Sequence, residues 1–137
     1  NGYFDILIRT VRTTVLEVLA HISYRLRFFV GDHGRQVSLD DYEEQLHLLL
    51  TSVIERGISL EINSSGLRQK IGEPLPNHKI LKKYRQLGGT MVSLGSDSHN
   101  TKDLSRGIKE CTQMVADLGF THITYFRKRR PIQIPIR

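Results

Sequence analysis

Apolar residues along this chain recur in two rhythms. In "SLDDYEEQLHLLLTSVIERG" (38–57), Tyr42, Leu46, Leu49, Leu50 and Val53 fall at helical spacing. Ser38, followed by Asp41, resembles a capping arrangement, and Gly57 suits the C-terminal stop. "ISLEIN" (58–63) alternates instead. Ile58, Leu60 and Ile62 face one side of a strand, with Ser59, Glu61 and Asn63 on the other. Asn77 can cap a second helix carrying Ile80, Leu81, Tyr84 and Leu87, ended by Gly88. Asp103 or Ser105 starts a third, running through Ile108, Cys111, Val115 and Leu118 to Gly119. "EVLAHI" (17–22), "TMVSLG" (90–95) and "THITYF" (121–126) read as further strands, and a helix around residues 3–12 opens the chain.

Strands alternating with helices of this length predict βα units and a parallel sheet. The expected fold is α/β, a partial distorted β/α barrel of about four βα units, forming a single domain over residues 1–137. Residues 127–137 are expected as a basic C-terminal tail. An open sheet or half barrel leaves two parallel edges bare, and parallel sheets are normally buried. The sequence therefore predicts either more chain ahead of Asn1 or a second chain over the edge, so a homo-oligomer or a missing N-terminal half. A first residue that is not methionine agrees with a processed, truncated or partial chain.

Composition narrows the classes. Cys111 is the single cysteine, which excludes an internal disulfide framework and fits a reducing, cytoplasmic setting among others. No stretch approaches the roughly 20 apolar residues of a membrane span. The formal net charge is +6, and part of it is local, in "FRKRRPIQIPIR". A basic chain can meet nucleic acid, an acidic surface or an anionic small molecule, and a solvated charged tail accounts for it equally. A nucleic-acid module has little support beyond Tyr125 and Phe126 beside the basic run, with no interleaved stacking aromatics.

The chemistry gathers at the expected strand ends, where barrel-type α/β proteins place their catalytic groups. The first strand ends at His21, the second at Glu61 and Asn63 followed by "SSGLRQK", and the third at "GSDSH". Asp97 and His99 combine a carboxylate and an imidazole, good ligands for Zn²⁺, Mn²⁺ or Fe²⁺. The same Gly-Ser-Asp-Ser run is also ordinary turn chemistry. His21, between Ala20 and Ile22, suits either a ligand or a hydrogen-bonded core histidine. Glu61, with apolar neighbours on both sides, needs a partner or a metal if buried. Arg68, after a serine- and glycine-containing loop, can clamp a phosphate with two hydrogen bonds or lie on the surface.

"LEINSSGLR", "LGSDSH" and "YFRKRRPIQIPI", with "VLAHI" ahead of them, together resemble the histidinol-phosphate phosphatases of the polymerase-and-histidinol-phosphatase superfamily. The likeness runs over most of residues 17–136. It implies a distorted β/α barrel with two or three divalent ions at the strand ends. It implies hydrolysis of a small phosphate ester, L-histidinol phosphate, in histidine biosynthesis. By motif position His21, Asp97 and His99 match metal ligands, and Asp97 and His99 become the candidate catalytic pair. Arg68 matches an arginine near the substrate phosphate, while Glu61 and Asn63 match only positions near the site.

Two departures matter. The family's opening His-x-His strand and the ligands after it are missing, so the chain resembles the C-terminal half of such an enzyme. Ser23 also stands where the family often has aspartate. The alternative is a non-catalytic remnant that self-associates and keeps partial metal or phosphate binding. No membrane partner is expected.

Overall fold

The computed structural model describes residues 2–23 and 42–137. Helix α1 (Gly2–Thr13) opens the chain and buries Phe4, Ile8 and Val11. Strand β1 (Val18–Leu19) follows, then helix α2 (Glu43–Glu55), strand β2 (Ser59–Asn63), helix α3 (His78–Gln86) and strand β3 (Val92–Gly95). Helix α4 (Ile108–Asp117) leads into strands β4 (His122–Arg127) and β5 (Arg130–Pro135).

The order β1-β2-β3 forms a three-stranded parallel sheet. Leu60 pairs with Val92 and Asn63 with Gly95. Leu60, Ile62 and Val92 are fully covered, packed in one cluster with Leu49, Leu50 and Val53 of α2 and Ile80, Leu81 and Tyr84 of α3. These are the apolar stripes that the spacing predicts. The Asn77 side chain accepts from the Ile80 backbone N–H, the expected cap of α3, worth about 1 kcal/mol. The proposed Ser38–Asp41 cap of α2 lies outside the described residues.

Several expectations need correction. The structure is mixed α/β, but the expected fourth parallel strand, β4, instead pairs antiparallel with β5. The β4–β5 ribbon meets the sheet where the Ser93 hydroxyl donates to the Thr124 carbonyl at 2.7 Å. The stretch read as a basic tail therefore contains a strand. Its turn is made by Lys128 and Arg129, both with positive φ, 48° and 64°, the backbone that a two-residue hairpin turn requires. β1 is also shorter than residues 17–22, because only Val18 and Leu19 have ladder partners on β2. Finally α4 starts at Ile108, not at Asp103 or Ser105. Gly107, at φ 80°, precedes it, and Asp103 belongs to a separate 3-10 turn over Thr101–Asp103.

Candidate functional site

Parallel strands end on the same side, so the segments leaving β1, β2 and β3 share one rim. A cavity of about 790 Å³ opens there, lined by Tyr3, Leu7, Ala20, His21, Ser65, Arg68, Gln69, Asp97, His99 and Asp103. His21 follows β1, Ser65 and Arg68 lie in the 3-10 turn over Ser64–Arg68 after β2, and Asp97 and His99 follow β3. Four of the six candidate residues thus meet in one place: His21, Arg68, Asp97 and His99.

Two of them sit in unusual backbone. His21 has φ 59° and Asp97 φ 47°. Left-handed conformations cost a non-glycine residue roughly 1–2 kcal/mol and collect at functional sites. His21 is consequently not on the strand end itself but in a turn past it. The Tyr3 hydroxyl donates to its carbonyl at 2.5 Å, so α1 supports that turn. His99 turns its Nδ1 toward the Asp97 carbonyl, 3.0 Å away, and lies 3.9 Å from the Asp97 carboxylate through the same nitrogen. That leaves Nε2 as the ring nitrogen not turned to Asp97.

Arg68 is the best-anchored member. Its Nη2 donates to the Ser96 carbonyl at 2.8 Å and its Nη1 to the Arg106 carbonyl at 3.4 Å. Its Nε lies 3.6 Å from an Asp103 carboxylate oxygen. The Asn100 amide donates to the same carboxylate at 2.8 Å and Arg106 at 3.2 Å. Led by the Asn100 hydrogen bond and helped by Arg106 and Arg68, these contacts hold the Asp103 carboxyl below the usual carboxylate range.

The remaining two candidates lie elsewhere. Asn63 is buried and spends its side chain as a cap, accepting from the Ser65 N–H at 2.9 Å. That fixes the turn presenting Arg68. Glu61 packs against Gly95, where an added Cβ would come within 2.8 Å of its Oε1. Its other carboxylate oxygen, Oε2, is buried without a hydrogen-bond partner. Tyr125, which the sequence sets beside the basic run, is exposed in β4 and paired across the ribbon with Ile132. Tyr3, Gln69 and Asp103 escaped the sequence reading. Asp103 was visible only as a possible helix start, because its partner Arg68 is far away in the chain.

The donor types suit a divalent ion, being imidazole and carboxylate. The orphaned Glu61 oxygen is a further carboxylate atom lacking a protein partner. Yet among the described residues no group of three or more His, Cys, Asp or Glu side chains is gathered closely enough to hold a metal. No helix of the described residues is long and apolar enough to cross a membrane.

No family model matches the chain. It is 28% identical over 129 residues to a Thermotoga maritima protein named "Probable histidinol-phosphatase", covering 94% of this chain and 52% of the relative. A Clostridium acetobutylicum protein of the same name is 30% identical over 129 residues, covering 93% of this chain and 49% of the relative. Among solved structures, histidinol phosphate phosphatase from Lactococcus lactis subsp. lactis, complexed with zinc, L-histidinol and phosphate, superposes with a TM-score of 0.76. It is 18% identical, over 95% of this chain and 49% of that one, and the likeness is one of fold. The chain spans about half the length of the curated relatives it matches, and it resembles the portion of a histidinol-phosphatase to which its own motifs correspond.

Proposed function

We propose that the chain supplies the phosphate-binding side, and part of the metal-binding side, of a phosphomonoesterase that hydrolyses L-histidinol phosphate to L-histidinol and phosphate. The observation that carries this reading is the meeting of Arg68 with His21, Asp97 and His99 on one cavity at the strand ends. The names of the relatives and the ligands of the Lactococcus structure agree with it.

Each side chain then has a task. A guanidinium has five N–H donors in a rigid fork, suited to two phosphoryl oxygens at once. Arg68 binds the phosphoryl group and stabilises the charge on its oxygens as the ester bond breaks. His21, Asp97 and His99 would hold divalent metal together with ligands from elsewhere. When bound, such an ion lowers the pKa of a water molecule and makes hydroxide available at neutral pH. Asp97 orients the His99 ring through its backbone carbonyl, so Nε2 is the ring nitrogen left for a ligand.

A second reading has one observation in its favour. Because no three donors are gathered among the described residues, the chain alone can be a non-catalytic relative that retains anion binding. Both readings require Arg68. The test is calorimetric titration of inorganic phosphate into the chain. Saturable binding that weakens by about 1.5–3 kcal/mol in Arg68→Ala, with the fold intact by circular dichroism, supports them. Binding that ignores this substitution overturns them. A histidinol-phosphate hydrolysis assay with the chain joined to a segment that supplies further metal ligands then separates the part of an enzyme from the remnant.

A further inference from the structure

We propose that Asp103 is a positioning residue: its carboxylate, itself held by Asn100 and Arg106, braces the Arg68 guanidinium in the orientation that receives a phosphate. The inference rests on the reading of Arg68 as the phosphate contact.

Three nitrogens of Arg68 are engaged by protein. Nη2 donates to the Ser96 carbonyl, Nη1 to the Arg106 carbonyl, and Nε faces Asp103 at 3.6 Å. Of five N–H groups, two are left for an oxyanion. The side chain is only 15% exposed, so it has little room to swing. Asp103 stays anionic there, since Asn100, Arg106 and Arg68 all favour the charged form. Its role runs through Arg68, because a carboxylate in a phosphate cavity would by itself repel the ligand. The Arg106 carbonyl has the same character, accepting from both Arg68 and the Ser64 hydroxyl, the latter at 2.6 Å. The loop after β3 and the turn after β2 are thus locked together around one guanidinium, at a modest entropic cost of binding.

The sign of one measurement separates bracing from simple charge. Removing a negative charge near an anion site should tighten anion binding if nothing else changes. If Asp103 braces Arg68, Asp103→Ala should weaken inorganic phosphate about five- to tenfold by calorimetry. Asp103→Asn, which keeps an acceptor, should lose less. Side-chain ¹⁵N relaxation of Arg68 Nε should report a rigid group in the wild type and a mobile one in Asp103→Ala. Unchanged or tighter phosphate binding in Asp103→Ala, or an Arg68 Nε as rigid as before, overturns the proposal. If Asp103→Ala does not fold by thermal denaturation, Asp103→Asn carries the same two readouts. If the wild type binds no phosphate, or Arg68→Ala changes nothing, the parent reading fails. The relaxation measurement then still decides whether Asp103 holds Arg68.

Discussion

The Tyr3 hydroxyl donates to the backbone carbonyl of His21 at 2.5 Å, joining the first turn of α1 to a residue held at φ 59°. A left-handed histidine persists only where its surroundings hold it. Tyr3→Phe removes the donor and leaves the ring beside Phe4, where the two rings now meet edge to face at 5.8 Å. The bond is exposed, so the expected loss is at the low end, about 0.5 kcal/mol in urea denaturation. The His21 ring resonances should shift more than those of His122, which lies on β4. An unshifted His21 would mean that other contacts set this turn.

Gly66 sits inside the turn that presents Arg68, and it has no room for a side chain. A Cβ there would lie 2.1 Å from the Glu73 backbone carbonyl oxygen and 3.2 Å from Leu75 Cγ. The carbonyl is main chain and cannot swing aside. Gly66→Ala should therefore destabilise by about 1–3 kcal/mol and weaken phosphate binding as Arg68 is displaced. Gly2→Ala, where a Cβ meets nothing within 4 Å, is the matched control. Equal midpoints for the two variants would show that the turn relaxes freely.

Alkaline pH should unfold the chain through two buried groups. Burial pushes the Cys111 thiol from its ordinary value of 9.0 to about 11, with the Glu110 charge adding to it. Burial likewise pushes the Tyr84 hydroxyl from 10.0 to about 12, partly offset by its hydrogen bond to the Met91 carbonyl. Both folded values are raised, so the unfolded chain releases these protons first. Their contribution to stability is complete below about pH 9 and is lost as pH rises toward 12. Melting temperatures should fall over that window. Cys111→Ala should flatten the lower part of the fall and Tyr84→Phe the upper part, whatever either does to stability at neutral pH. Parallel curves for wild type and both variants would assign the alkaline loss to other groups.

What could be read ahead of the structure follows the range of each interaction. Helix α3 was legible because its cap, its stripe and its stop are local: Asn77, then Ile80, Leu81 and Tyr84, then Gly88. The rim was legible for the same reason, since strand ends can be located from strand periods. β5 was not. Its alternation is short, Ile132 and Ile134 between Pro131 and Pro135, and it is hidden behind four basic residues. Proline is tolerated there because β5 pairs on one side only among the described residues. The turn also lacks glycine, being Lys128 and Arg129, so the usual hairpin signal is missing. Asn63 looked like a site residue because an amide at a strand end can do either job, and only the 2.9 Å bond to Ser65 N shows it capping. The brace on Arg68 joins residues 28 to 38 positions apart, beyond the reach of any local pattern.

The last prediction concerns the chain on its own. β1 pairs with β2 on one side, and no strand among the described residues pairs with its other edge. Parallel sheets are stable when covered, and an open edge recruits further strands. The cavity also holds too few gathered donors for a metal among the described residues. We therefore expect the purified chain to scatter light as a dimer or a larger assembly, and to hydrolyse histidinol phosphate at background even with added Zn²⁺. Association follows from the edge and inactivity from the donor set, so the two outcomes are separable. A charged substitution on the edge, Val18→Lys, should reduce association, because lysine on an edge strand opposes pairing. It should leave phosphate binding at Arg68 unchanged, since Val18 does not line the cavity. A monomer that turns over substrate at a rate abolished by Asp97→Ala would overturn both expectations, and would mean that side chains already present complete the site.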